Sequence, residues 1–246
     1  MIPDNERPAG KQVPIKAFKE SISDFEDLPY LMDKATTLMG INNTSPKSRA
    51  FAKDVLSIEI EGPSRPQLTL VDLPGLVQTQ TKGVTEEDVQ LVTEITDQYI
   101  SQPRTICLAV VSATNDYANQ GILKKVRKVD PEGDRTLGII TKPDRLPSGS
   151  GSEQSYISLA RNEDVFFKLG WHVLKNRSYE EGSPLSNAIN PRTHYFQKSN
   201  FATLSKECVG ITSLRDRLSQ LLFGHVKQEL PKLRKDLEEA LTDSEL

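Results

Sequence analysis

Cysteine is scarce in this chain of 246 residues: Cys107 and Cys208 are the only two. Two cannot build a disulfide framework, and neither sits in a C-x-x-C pair, which argues against structural zinc. Histidine is nearly as rare. His172, His194 and His225 are scattered without an H-E-x-x-H spacing, so ordinary core or surface positions are expected of them. No uncharged run approaches about 18 residues, so no membrane-crossing helix is expected. The opening Met1-Ile2-Pro3-Asp4-Asn5-Glu6 is polar and has no signal-peptide pattern, which makes the cytoplasm the expected setting. A charge of one sign is also missing: 31 Lys plus Arg against 34 Asp plus Glu leave a net −3. That balance argues against a protein whose main business is coating nucleic acid or an acidic membrane. The chain shows no internal repeat and no low-complexity tract.

What is present suffices for a core. Hydrophobic residues make up 36% and charged residues 26%, too apolar for a disordered chain, and the length suits one large domain or a domain plus a fragment. Residues 1–14, with Pro3, Pro8, Gly10 and Pro14, read as an irregular start. Ile15, Phe18, Ile22 and Phe25 then recur at helical steps. Pro29 suits the first turn of a next helix carrying Leu31, Met32, Ala35, Leu38 and Met39, which Gly40 would cap. Residues 55–60 and 67–71 read as two strands in a hairpin-like pair.

Beyond them the rhythm becomes regular. A helix is expected over 84–101, a buried strand over 105–111, a helix over 119–129 and a short strand over 137–140. A flexible loop follows at 148–152, then a helix over 164–170 and a strand over 171–174. The run Thr105-Ile106-Cys107-Leu108-Ala109-Val110-Val111 is apolar throughout, as in parallel strands covered on both faces. Strand, helix, strand in repetition predicts an α/β fold with a mostly parallel, doubly wound sheet. Phe166, Phe167 and Trp171 are expected in its core. Residues 180–205 look irregular, and 209–223 look helical. From Val226 an apolar stripe at 226, 230, 233, 237, 240 and 241 resembles a bundle seam, with Pro231 marking a kink or a helix start.

In open α/β sheets, ligands sit at the C-terminal ends of the strands. Asp72-Leu73-Pro74-Gly75 follows one expected strand. An Asp there can hold Mg²⁺ through water, and a Gly three residues on lets a backbone N–H approach a terminal phosphate. The alternative is a plain strand-ending turn. Thr141-Lys142-Pro143-Asp144 follows another. Its carboxylate can accept two hydrogen bonds from the N1–H and N2–H₂ edge of guanine, and its lysine stem can lie along the purine face. The alternative is a loop stiffened by Pro143. Asn176-Arg177-Ser178 follows the last strand, with donors for the guanine oxygen and base face. The basic run at 124–128 reads as a solvated helix face.

Taken in order, these motifs resemble the third, fourth and fifth motifs of the dynamin superfamily of GTPases. Leu68-Thr69-Leu70-Val71-Asp72-Leu73-Pro74-Gly75 carries the resemblance, as do the stretches 108–119 and 129–144. It is strong over about residues 50–180, looser over 205–246, and points toward the fungal dynamin-like and myxovirus-resistance-like branches. It implies a P-loop NTPase-like domain over 1–224 and the start of a bundle or stalk helix over 225–246. It implies GTP or GDP with Mg²⁺ as ligands, Asp72 near the metal and Gly75 near the γ-phosphate. Leu73 and Pro74 complete that nucleotide loop, while Thr141, Lys142, Asp144, Asn176 and Arg177 bind the base. Asp116 falls in a loop that faces a second GTPase domain across the nucleotide. Pro147 and Tyr179 depart from the polar base-contacting residues such proteins can carry.

A nucleotide hydrolase of this class also needs G-x-x-x-x-G-K-[ST], whose backbone cradles the phosphates. The Gly10-Lys11 pair is followed by Gln12 and preceded five positions earlier by Asn5, so it is no such loop. The expectation is therefore a GTPase domain without its first strand, P-loop and switch I, truncated rather than degenerate because motifs three and four are intact. Alone it should be inactive. The family implies GTP hydrolysis coupled to homo-oligomer assembly and membrane remodelling. Peripheral membrane contact would come through other regions, with microtubules as a family partner and no nucleic acid. The alternative is a non-catalytic remnant that docks on full-length relatives.

Overall fold

The computed structural model describes residues 1–41, 49–63, 68–76, 83–176 and 191–244. They fall into two compact units, Met1–Arg65 with Val71–Tyr99, and Pro66–Leu70 with Ile100–Leu246.

In the first unit, helix α1 spans Ala9–Ala17, α2 spans Leu28–Met39 and α3 spans Glu86–Ile100, whose last residue belongs to the second unit. Pro29 sits in the first turn of α2, and Gly40 closes the helix at φ 77°, the left-handed cap that glycine adopts most easily. Arg7 ties this unit together. Its Nε donates to Asp54 Oδ1 at 3.0 Å, its Nη2 pairs with Asp54 Oδ2, and the same nitrogen donates to the Met39 carbonyl at 3.0 Å. The stretch read as irregular thus contains α1, whereas the helical spacing expected through Phe25 stops at Ala17. Ile22 and Phe25 are exposed, so no buried face stabilises a continued helix there.

A second correction concerns 55–60 and 67–71. None of their described residues forms a ladder; Val55 makes one antiparallel bridge to Ile2, and Ile58, Ile60, Leu70 and Val71 are exposed. Alternating apolar residues favour an extended backbone with one apolar face, but a strand is completed only by a neighbour.

The second unit holds the sheet. β1 (Cys107–Ser112), β2 (Thr136–Thr141) and β3 (Trp171–Leu174) lie parallel in that order. Their register pairs Ser112 with Thr141 and Thr141 with Leu174, so all three strands end at one edge. Helix α4 (Gly121–Val129) connects β1 to β2, and α5 (Gly151–Ala160) connects β2 to β3. One sheet face carries Ala109, Val111, Ile140, Trp171 and Val173 against Val126 of α4, Tyr156, Ile157 and Leu159 of α5, and Phe167, Phe196 and Phe201. The other carries Leu108, Leu137, Ile139 and Leu174 against Leu214, Leu218 and Leu221. Those three belong to α7 (Ile211–Ser244), which follows α6 (Pro191–Lys198). Each large side chain buried this way stabilises the unit by about 1.5–3 kcal/mol. The fold is α/β with helices on both faces of a parallel sheet.

The helix between β2 and β3 was expected at 164–170 and lies instead at Gly151–Ala160, beginning inside the presumed loop. Ser150 caps it, its Oγ accepting from the Glu153 N–H at 3.1 Å. Residues 164–170 are non-helical because Asn162 clamps them: its Nδ2 donates to the Phe167 carbonyl and its Oδ1 accepts from the Phe167 N–H, both at 2.9 Å. The clamp turns Phe167 into the core and leaves Phe166, also expected inside, exposed. Finally, α7 is one helix through Gly224 and Pro231 rather than a helix and a separate tail.

Candidate functional site

Loops leave the C-terminal sheet edge at three points. The loop after β2 is the best defined. Thr141 Oγ1 donates to the Val111 carbonyl at 3.1 Å, and the Ala113 N–H donates to the Thr141 carbonyl at 2.9 Å, fixing the strand end. Lys142 then adopts φ 56°, ψ 40°. A non-glycine residue in this left-handed region costs about 1 kcal/mol and persists only where its surroundings hold it. A single 3-10 turn, Pro143–Arg145, follows, closed by the Arg145 N–H on the Lys142 carbonyl at 3.1 Å. The result is alternation: Pro143 is buried, while Lys142 and Asp144 both face solvent. The Asp144 carboxylate has no hydrogen bond or ion pair to any described residue, so its oxygens are available to accept from a ligand.

The loop after β1 carries Asp116. Gln120 brackets the strand end, accepting from the Ser112 N–H and donating to the Ser112 carbonyl, both at 2.9 Å. The Tyr156 hydroxyl donates to the Asn115 carbonyl at 2.6 Å. Burial pushes that phenol up to about 12, against the hydrogen bond from Gln120. Asp116 itself is exposed and caps the 3-10 turn Tyr117–Asn119, accepting from the Ala118 N–H at 3.0 Å. Beyond β3, Asn176 is exposed; Arg177 lies outside the described residues, as do Ser178 and Tyr179.

Thr141, Lys142, Asp144 and Asn176 therefore share one edge of one sheet. Asp72-Leu73-Pro74-Gly75 belongs to the first unit and is described by itself: Asp72 and Gly75 are exposed, Leu73 and Pro74 half-buried. A Cβ at Gly75 would meet nothing within 4 Å, so packing among the described residues does not require glycine there. Among the described residues no three His, Cys, Asp or Glu gather into a metal site. Asp72 is a single carboxylate, fit for Mg²⁺ only through water.

The sequence reading missed four side chains that shape this edge: Gln120, Glu153, Tyr156 and Asn200. The Glu153 carboxylate, 4% exposed, accepts from the Gly149 N–H and from Asn200 Nδ2, both at 2.7 Å. Ser150 and Glu153 stand at the S-x-x-E spacing of a capping box, a signal that was there to be read. Asn200 offers none. Nearby, burial pushes the Tyr195 phenol up to about 12, and the negative charges of Asp144 and Glu153 add to the shift.

Comparison with known proteins gives the family. The model of the dynamin family matches residues 4–143, and that of the dynamin central region matches 155–246. The chain is 34% identical over 199 residues to the interferon-induced GTP-binding protein Mx of Siniperca chuatsi, covering 79% of this chain and 32% of that protein. It is 30% identical over 234 residues to the Mx protein of Dicentrarchus labrax, covering 93% of this chain and 35% of that protein. Against Mx1 of Oncorhynchus mykiss it is 33% identical over 199 residues, 79% of this chain and 32% of that protein. It thus spans about a third of the length of the curated relatives it matches. With more than half of its residues matched by one family model and relatives at 30% identity or more, the chain belongs to the dynamin family.

Proposed function

We propose that this chain carries the guanine-recognising part of a dynamin-like GTPase. The observation behind this is the turn after β2. Lys142 is held left-handed, Pro143 is buried beneath it, and the Asp144 carboxylate is left exposed and without a partner among the described residues. In this reading Asp144 accepts from N1–H and N2–H₂ of guanine, Lys142 covers the purine face, and Thr141 fixes the loop to β1. Asn176 and Arg177 contact the base from the neighbouring loop. Asp72 would support Mg²⁺ through water and Gly75 would meet the terminal phosphate, roles that would serve hydrolysis of GTP to GDP and phosphate only in the whole protein. The sequence contains no P-loop, and the phosphates contribute much of the affinity in such sites. Binding by this chain should be weak and catalysis absent.

The wider setting follows the family. Residues 1–224 would form the GTPase part and 225–246 the start of a helical bundle. The exposed loop at Asp116 would meet a second GTPase domain. The whole protein would self-assemble in the cytoplasm and act peripherally on membranes. Nucleotide hydrolysis and remodelling belong to that assembly.

The test is base selectivity. Saturation-transfer NMR with about 1 mM nucleotide, suited to millimolar Kd values, should detect GDP in preference to ADP. Asp144→Asn should lose GDP and gain xanthosine diphosphate, because an amide offers one acceptor and one donor where the carboxylate offers two acceptors. Equal binding of GDP and ADP, or selectivity indifferent to Asp144→Asn, would remove the reading.

A further inference from the structure

The loop after β2 must be held if it is to present Asp144, and the holding group is a buried carboxylate outside the family motifs. Glu153 is 4% exposed and has no cation within salt-bridge reach among the described residues. Burying a carboxylate this way is costly unless its oxygens are well bonded. One of them is: Oε2 takes both the Gly149 N–H and the Asn200 amide, each at 2.7 Å, the short distances of charge-assisted bonds. In an ordinary capping box the acid returns to the N–H of the capping residue itself. Here it reaches one residue further, to Gly149, which sits at φ 75°. The loop 142–149 is thus pinned at both ends, by the bond from Thr141 of β2 to Val111 of β1 at its start and by Glu153 at its finish. Asn200, 47 residues along the chain from Glu153, brings the 3-10 turn Asn200–Thr203 onto the same oxygen. Tyr195, whose phenol senses both Asp144 and Glu153, stands on the preceding helix α6.

We propose that Glu153, with Asn200 behind it, is a positioning residue for the base-recognition loop, setting guanine affinity by fixing the loop end at Gly149 without touching the nucleotide. This rests on the guanine reading of that loop. A second consequence follows from helical spacing. Tyr156 lies one turn on from Glu153 in α5 and bonds the loop of Asp116. One helix therefore anchors both the base loop and the Asp116 loop.

The full chain tests this with Glu153→Gln, Glu153→Ala and Asn200→Ala. Because a single oxygen receives both bonds, the glutamine variant should keep GDP selectivity, whereas the alanine variant should lose about tenfold in GDP affinity, the equivalent of one such bond. Hydrogen exchange at the Gly149 amide should be protected in the parent and in Glu153→Gln, and fast in Glu153→Ala. The fluorescence of Trp171, the single tryptophan, reports whether the core stays intact. If Glu153→Ala unfolds, Asn200→Ala decides: its side chain is exposed, and a partial loss of GDP affinity is expected. A parent that binds GDP with variants that bind it equally well overturns the positioning role and leaves the guanine reading standing. A parent without guanine preference removes that reading, while unprotected Gly149 in the parent removes the pin itself.

Discussion

His172 is 0% exposed on β3, with its Nε2 donating to the Gly210 carbonyl at 2.8 Å. Burial holds its pKa down at about 4, the nearby Arg217 guanidinium works in the same direction, and the Gly210 carbonyl opposes them. The imidazole is therefore neutral in the folded chain, and it locks the start of α7 onto the sheet. The unfolded chain takes up a proton near pH 6.5, the folded one only near pH 4. Stability should thus be full above about pH 6.5 and fall as pH drops toward 4, by about 3 kcal/mol at most. Urea denaturation at pH 7.5 and pH 4.5 measures this. His172→Gln keeps a donor for Gly210 and should flatten the dependence; an unchanged slope would assign the effect to carboxylates. Of the core or surface positions expected for the histidines, this one takes a core position, yet its spacing in the sequence carried no hint of the contact with Gly210.

At the scale of elements, the center of the sheet has no spare room. A Cβ on Gly138 in β2 would stand 2.2 Å from Cε3 of Trp171 on β3. The indole cannot withdraw, because its Nε1–H donates to the Val165 carbonyl at 2.7 Å and Phe167 packs on it at 5.2 Å between ring centroids. Gly138→Ala should therefore destabilise by about 1–3 kcal/mol through overpacking, read as a lower Tm and a red-shifted Trp171 emission. Unchanged stability would show that the indole can repack. Elsewhere an element outgrew its sequence signals. Pro231 inside α7 removes a backbone donor and crowds the carbonyl four residues earlier, yet the helix passes through it. Beyond the sheet, Val226, Leu230, Leu237 and Leu241 are exposed along that helix, at the seam-like spacing read from the sequence, and Phe223 just before them is exposed too. The α5 region shows the reverse. Gly and Ser at 149–152 suggest a loop, but burial of Tyr156, Ile157, Leu159 and Ala160 outweighs low propensity.

For the whole molecule, the second unit contains everything its sheet needs on both faces between Cys107 and Leu221. Arg135 adds internal closure, donating to the Ile100 carbonyl at 2.7 Å and to the Thr105 carbonyl at 2.9 Å. A chain of residues 100–246 should therefore fold without the rest, with α/β circular dichroism, buried Trp171 emission and a cooperative melt. A non-cooperative melt would mean that residues before 100 are required. Among the described residues no strand pairs with the outer edge of β1, and Ile58, Ile60, Leu70 and Val71 of the two extended segments are exposed. Such apolar edges normally invite another strand.

Local pattern was enough for the parts whose causes are local. Continuous apolar runs fixed β1, β2 and β3 within a residue or two, the Pro29 and Gly40 signals bounded α2, and the tetrapeptide Thr141-Lys142-Pro143-Asp144 marked a strand end. The tertiary structure decided whatever depends on a partner distant in sequence. It left residues 55–60 and 68–71 without a ladder, because extension is a property of one segment and pairing of two. It placed the helix between β2 and β3 at 151–160, because burial outweighed propensity. It also joined Glu153 to Asn200, because a single buried oxygen can be shared by donors that no spacing rule connects.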